Sequence, residues 1–273
     1  MTARILCVIS LLVGTAMAQQ ERELGKGVSS HSTEKEIALG NQLATEFRRY
    51  TRPVGSAAAL AYVNGIGQRL ALQIGGPPFT YTFALIADDP TAIHEVAAFP
   101  GGFLFVPSAL ILAVKDEDEL AGMLANAIAH VATFDRPKAG LVNMASVPLI
   151  YTGGWTGYAM REGQSLALPL GLLETWRRYE LDADRLAART MAAAGYDPAA
   201  LVRYIERVQA PDEVQPKMLS GLPLRSQRVE AIRAVIGDLP AQVYGTHEGL
   251  EKVQEDVWRL TASTPKAPPT LSK

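Results

Sequence analysis

From Phe79 to Ala87 the sequence alternates in a way that few folds accommodate. Phe79, Tyr81, Phe83 and Leu85 point one way, with Thr80, Thr82 and Ala84 between them, which is the pattern of a strand with one buried face. Gly75-Gly76-Pro77-Pro78 breaks the chain just before it. Phe99-Pro100-Gly101-Gly102 then reads as a tight turn, followed by a second strand at Phe103 to Val106. Nearly everything else has helical spacing, so a small sheet sits inside a mostly helical chain.

Two helices precede the sheet. Thr33-Glu34-Lys35-Glu36 is a capping box and opens a helix that runs to about Tyr50, ahead of Pro53. Ser56 opens the next, along which Leu60, Val63, Ile66 and Leu70 recur at helical spacing. After the sheet, Asp116 is an N-cap with Glu119 three residues on, and that helix continues to about Phe134. The stretch from Leu141 to Leu173, rich in Gly, Ala and Leu, is either a mobile apolar lid or buried helix. A long helix then passes through Tyr179 to Ala194, with Gly195 as its C-cap. Asp197-Pro198 opens another, and helices follow near Gln227 to Ile236 and Glu248 to Thr261.

The 273 residues suffice for one sizeable domain, expected over residues 32–262. A net charge of −2 gives no electrostatic case for nucleic acid. Residues 1–18 read as a secretory signal: Arg4 precedes an apolar stretch from Ile5 to Thr15, and Ala16-Met17-Ala18 is a small-x-small cleavage pattern. An uncleaved anchor is the alternative. Residues 19–31 read as a flexible lead-in and residues 263–273, with three prolines, as a disordered tail. The single cysteine, Cys7, lies inside the signal, so the mature chain has no disulfide, no thiol nucleophile and no Cys-based metal site.

Four segments carry a family likeness. Glu117-Asp118-Glu119-Leu120-Ala121 through Asn126-Ala127-Ile128-Ala129-His130-Val131 resembles E-D-E-L-A-x-x-L-A-H-E-I-A-H-V. Glu180-Leu181-Asp182-Ala183-Asp184-Arg185 resembles an E-x-E-A-D-R helix, Ala194-Gly195-Tyr196-Asp197-Pro198 an A-G-Y-D-P turn, and Phe99-Pro100-Gly101-Gly102 an L-P-G-G hairpin. Together they resemble the zinc metallopeptidases of the CaaX-prenyl-protease type over roughly Glu34 to Ile236. Nearest are the exported bacterial members that act on outer-membrane and periplasmic proteins, and their mitochondrial relatives. The resemblance implies an α+β, predominantly helical, gluzincin-like domain with a small antiparallel sheet over the active-site helix. In such a site, H-E-x-x-H places two imidazoles on one helix face, a later Glu completes three zinc ligands, and the Glu beside the first His works on the bound water.

Carried over by position, His130 is the second metal His, Glu180 the third ligand, and Asp184 the group that orients a ligand. The first metal His is Asn126, the general base is Ala127, Glu95 stands for the Asn that leads the cleft strand, and Leu222 for a further His ahead of Arg228. A neutral amide oxygen is a poor zinc donor and Ala127 cannot take a proton from water. The four histidines, His31, His94, His130 and His247, include no pair four apart, so a shifted motif is excluded. Read without the resemblance, His130 is a core histidine bonded to Glu180, and Glu180 and Asp184 belong to a charge network with Arg177, Arg178 and Arg185.

Three functional readings follow from these residues. The leading one is an exported, envelope-localised pseudopeptidase whose zinc is lost or weak. It would bind polypeptide or an envelope partner through the strand after the turn (Gly101, Gly102, Phe103, Leu104 and Phe105), in extended form. The alternatives are an active zinc endopeptidase with a non-standard metal set, acting in envelope protein quality control, and a structural envelope protein. Membrane association is left open by the sequence.

Overall fold

The computed structural model describes residues 33–76, 78–87, 95–133, 170–212 and 223–262. The expected signal, lead-in, tail and Leu222, and most of the 141–173 stretch, lie outside these residues. In chain order the elements are α1 (Thr33–Tyr50), β1 (Arg52–Pro53), α2 (Ala57–Ile74), β2 (Thr82–Ala87), β3 (Ala97–Phe99) and β4 (Phe103–Pro107). Then come α3 (Ser108–Ala113), α4 (Glu117–Thr133), α5 (Leu170–Ala193), α6 (Ala199–Val208), α7 (Arg225–Asp238) and α8 (Leu250–Ala262). The fold is predominantly helical around one small sheet.

That sheet has four strands in the order β1-β2-β4-β3. It is mixed, which corrects the antiparallel expectation. β2 pairs parallel with β4, from Thr82 opposite Phe103 to Ile86 opposite Pro107, whereas β1–β2 and β3–β4 are antiparallel. The cause is the tight turn at Pro100–Gly102. It folds β3 back onto β4 as a hairpin, and the hairpin docks on β2 through β4. β4 is therefore an inner strand, bonded on both sides, and β3 is the edge.

The turn is held from outside by α1. Gly101 and Gly102 both have positive φ (73° and 93°), which favours glycine. A Cβ on Gly40, inside α1, would lie 1.7 Å from the Pro100 carbonyl oxygen. The helix thus crosses the turn at backbone contact, which accounts for a glycine in a helix interior, where it usually costs about 1 kcal/mol against alanine. Further along α1, Ala44 and Phe47 cover the outer face of the sheet with Ile86, Phe99 and Phe105. The Phe47 and Phe105 rings meet edge to face at 4.9 Å. β2 is buried on both faces, because α1 supplies a second apolar layer beyond the one its alternation demands.

The inner face of the sheet packs on α2 and α4 through Phe83, Leu85, Leu104 and Val106. Helix α4 is the spine of the molecule. Leu120, Ala121, Leu124, Ala125, Ile128, Ala129 and Val131 have no solvent exposure, so it is enclosed on all sides. Its start is fixed by Asp116, whose Oδ1 accepts from the Glu119 backbone N–H at 2.8 Å, while Glu119 Oε2 accepts from the Lys115 N–H at 2.8 Å. Helix α5 ends in a Schellman pair around Gly195: Tyr196 N–H donates to Met191 O at 2.9 Å and Gly195 N–H to Ala192 O at 3.1 Å. This reversal turns α6 back against α4.

The α1 crossing makes a direct prediction. Gly40→Ala should lower unfolding free energy by about 1–3 kcal/mol, because the Pro100 carbonyl is backbone and cannot swing aside. Urea titration followed by far-UV circular dichroism measures it.

Candidate functional site

Asn126 and His130 are four residues apart on α4, so their side chains leave the same helix face. Glu180 and Asp184 are four apart on α5, which packs on that face. Arg228 comes from α7, and Glu95 from the residues leading into β3. Four elements or their approaches thus meet around one small cavity of about 10 Å³. It is lined by Glu95, Asn126, Ala127, His130, Glu180 and Arg228, with Val96, Ala98 and Met123 supplying apolar wall.

The polar atoms in this cluster are mostly saturated. Arg228 donates to Asp184 through Nε and Nη2, both at 2.8 Å, and Nη2 lies 2.9 Å from Glu180 Oε1. Its Nη1 reaches Gln209 Oε1 at 3.4 Å. Asn126 Nδ2 donates to Asp184 Oδ1 at 2.9 Å and to Glu180 Oε1 at 3.4 Å. The orientation of the amide follows from these two carboxylates, which accept only. His130 Nε2 lies 3.0 Å from Glu180 Oε2, off the line of a hydrogen bond. Glu180 and Asp184 both pair with Arg228, and Arg185 pairs with Asp182 at the exposed face.

Burial and charge pull on these groups in opposite directions. Burial opposes the Glu180 carboxylate, but Arg228 and His130 outweigh it and hold the group down to about 2. Burial likewise opposes an imidazolium at His130, and the neighbouring Glu180 and Asp184 outweigh it, raising its pKa. At Glu95 the same two groups, Arg228 and His130, pull the carboxyl down but are outweighed. Burial, and then the Glu180 charge, push its carboxyl up to about 8, and its Oε2 is sealed from solvent with no hydrogen-bond partner.

These residues can be tested against a catalytic zinc, which takes three protein donors and a water. His130 Nε2 and Glu180 Oε2 are close to the roughly 3.3 Å spacing of two zinc ligands with bonds near 2.1 Å. The third place is held by Asn126, which turns an amide NH₂ toward the carboxylates and offers no lone pair from that atom. Among the described residues no three His, Cys, Asp or Glu side chains converge as a metal site. Ala127 is buried at the cavity wall with no group able to accept a proton. Among the described residues the donor set falls one ligand short of a catalytic zinc site.

The strand expected to bind peptide lies inside the sheet. Phe103, Leu104 and Phe105 belong to β4, whose backbone is used by β2 on one side and β3 on the other, and Gly101 and Gly102 are buried in the turn. The sheet edge beside the cavity is β3, with only β4 as a sheet neighbour among the described residues. Ala98 of β3 lines the cavity. Gln209, a further partner of Arg228, carries no sequence signal, since its contact spans 19 residues between two helices.

Residues 57–236 match peptidase family M48, more than half of the chain. The chain belongs to this family. Within it, the chain is 24% identical over 216 residues to the beta-barrel assembly-enhancing protease of Yersinia pestis, which covers 74% of this chain and 44% of that protein. It is 24% identical over 191 residues to the Escherichia coli K12 protein of the same name, covering 66% and 39%. It is 28% identical over 191 residues to the mitochondrial metalloendopeptidase OMA1 of Schizosaccharomyces pombe, covering 67% and 54%. The M48 chain described here thus spans about half or less of the length of these curated relatives. Family M48 is one of zinc metallopeptidases.

Glu95 gives the site a pH signature. The unfolded chain releases this proton near 4.5 and the folded one near 8, so stability falls as pH rises between those values. Glu95→Gln cannot ionise and should be more stable than the parent at pH 8, by on the order of 4 kcal/mol, at roughly 1.4 kcal/mol per pH unit. The gain should shrink toward zero by pH 4.5. Chemical denaturation at pH 5 and pH 8 checks both sign and window.

Proposed function

We propose that this M48 member has lost peptide hydrolysis and instead holds polypeptide, in extended form, along the β3 edge in the cell envelope. The observation that carries the reading is the Asn126 amide, which donates into Glu180 and Asp184 where a metal ligand would face an ion. Ala127 adds to it, because the residue next to Asn126 carries no proton acceptor of its own. Loss of a general base costs about 10²–10⁴-fold by itself. That loss and the loss of a ligand act on one unit and should not be multiplied.

The binding half of the proposal needs no metal. An open strand edge recruits an extended chain through backbone N–H and C=O groups, and side-chain pockets select among chains. The relatives named as beta-barrel assembly-enhancing proteases support an envelope polypeptide as the ligand. The signal-like N-terminal sequence supports export. No described helix is long and apolar enough to cross a membrane.

Metal analysis of the dialysed protein should find no stoichiometric zinc, and casein hydrolysis should not rise above background. Asn126→His combined with Ala127→Glu should bring zinc affinity back, since His130 and Glu180 already stand in place. Near-equimolar zinc that disappears in His130→Ala, together with chelator-sensitive proteolysis by the unaltered protein, would falsify the proposal.

A further inference from the structure

At the other end of α4, Glu117 and Asp118 face a second cluster of titratable groups. Tyr196 Oη donates to Glu117 Oε1 at 3.2 Å. The Tyr196 ring lies 4.8 Å from the imidazole of His247, which comes from the connection between α7 and α8. Each ring nitrogen of His247 meets a different carboxylate. Nδ1 lies 3.4 Å from Glu117 Oε1, and Nε2 lies 3.5 Å from Asp118 Oδ1. The two nitrogens point away from each other, so these groups do not converge on one metal ion. A carboxylate oxygen only accepts, and a neutral imidazole carries a single N–H. The imidazolium is the ring state that offers a proton to both acids.

The surrounding charges leave this role to His247. Asp116, just ahead of α4, and Asp197, in the turn before α6, share Arg203. From α2, Arg69 lies over the Tyr196 ring at 5.3 Å and the Tyr62 phenol faces Glu117. Burial raises both the Tyr62 and the Tyr196 phenol, so neither competes as an anion. Burial pushes the Asp118 carboxyl up and His247 pulls it back down. Glu248, beside His247 in the chain, is exposed. Among the described residues, His247 is the cation at ion-pair distance from Glu117 and Asp118.

What His247 holds is a long piece of irregular chain. Residues 239–249 form neither helix nor strand, and Val243 within them is 96% exposed. The helix beyond is seated by itself: Gln254 Nε2 of α8 donates to the carbonyls of Ile111 at 2.9 Å and Val114 at 2.8 Å. The connection can therefore move while the helices at its ends stay packed.

We propose that His247 is a pH-operated clasp: its imidazolium, gripped by Glu117 and Asp118, pins the α7–α8 connection over the start of α4, and the connection lifts when the ring loses its proton. The clasp is closed where the ring is protonated and both acids are ionised. It opens as pH rises through the imidazole range, about 6.5 for a free histidine, and weakens again in acid as the carboxyls protonate. Lifting bares the Tyr196 ring and the Glu117 carboxylate.

The test uses the full chain with Cys7→Ala and Val243→Cys, which leaves one thiol for a nitroxide spin label. Electron paramagnetic resonance then reads the ratio of mobile to immobile label. Between about pH 5.5 and about pH 7.5 that ratio should rise on the order of tenfold, the scale of one linked proton over one pH unit. Adding His247→Gln should leave the label mobile at both pH values, and adding Asp118→Asn should move the transition to lower pH. Far-UV circular dichroism, unchanged across this range, separates release of the connection from unfolding. A ratio that stays constant with pH in the parent overturns the clasp, as does the same rise in His247→Gln. Should His247→Gln fail to fold, Asp118→Asn decides, and a transition that it leaves unmoved overturns the clasp as well.

Discussion

Arg228 is buried to 4% exposure, and the geometry around it follows from keeping that guanidinium paired. Its fork meets Asp184 through two nitrogens, which fixes α7 against α5, and its third contact holds Glu180 toward α4. Removing one partner from such a buried pair costs about 3–5 kcal/mol, because the other charge is left uncompensated. The cluster is therefore a structural junction of three helices as much as a site. That accounts for two carboxylates held at a buried place by packing and pairing alone. Asp184 and Glu180 answer to Arg228 whether or not a metal is ever bound.

Asn126 fits the same logic. Two carboxylates facing α4 need donors from it, and an amide NH₂ supplies two hydrogens in the space of an imidazole. A histidine at that position serves a dication; an asparagine serves the carboxylates directly. The substitution turns an arrangement that needs an external ion into one that is largely satisfied from within, with Glu95 as the exception. The raised Glu95 carboxyl and the lowered Glu180 carboxyl, in one cavity, record how unevenly the available positive charge is shared.

Much of this was legible in the sequence where local rules decide. The N-caps at Ser56 and Asp116 and the Gly195 helix end depend on bonds within a few residues, and each is realised by a named hydrogen bond. The spacing of Asn126 with His130, and of Glu180 with Asp184, likewise needs only the helical period. The sheet was harder. β1 is two residues, one of them proline, and β3 is Ala-Ala-Phe, so neither carries an alternation long enough to read. The parallel β2–β4 pairing depends on where the hairpin docks, which is a tertiary choice. The same holds for Gln209 and for Arg228 as the counter-ion of Glu180, because the arginines adjacent in sequence were equally plausible partners by helical spacing.

The interior position of β4 bears on the proposed peptide binding. A strand flanked on both sides can line a cleft only with side chains, whereas an edge can add a partner strand through its backbone. Transferring the role from β4 to β3 moves the extended ligand to the side of the sheet where Ala98 meets Ala127 and Glu95. There Ala98 of β3 and Ala127 of α4 wall the same cavity as Glu95, so the sheet edge and the Asn126–His130 face of α4 meet at one place.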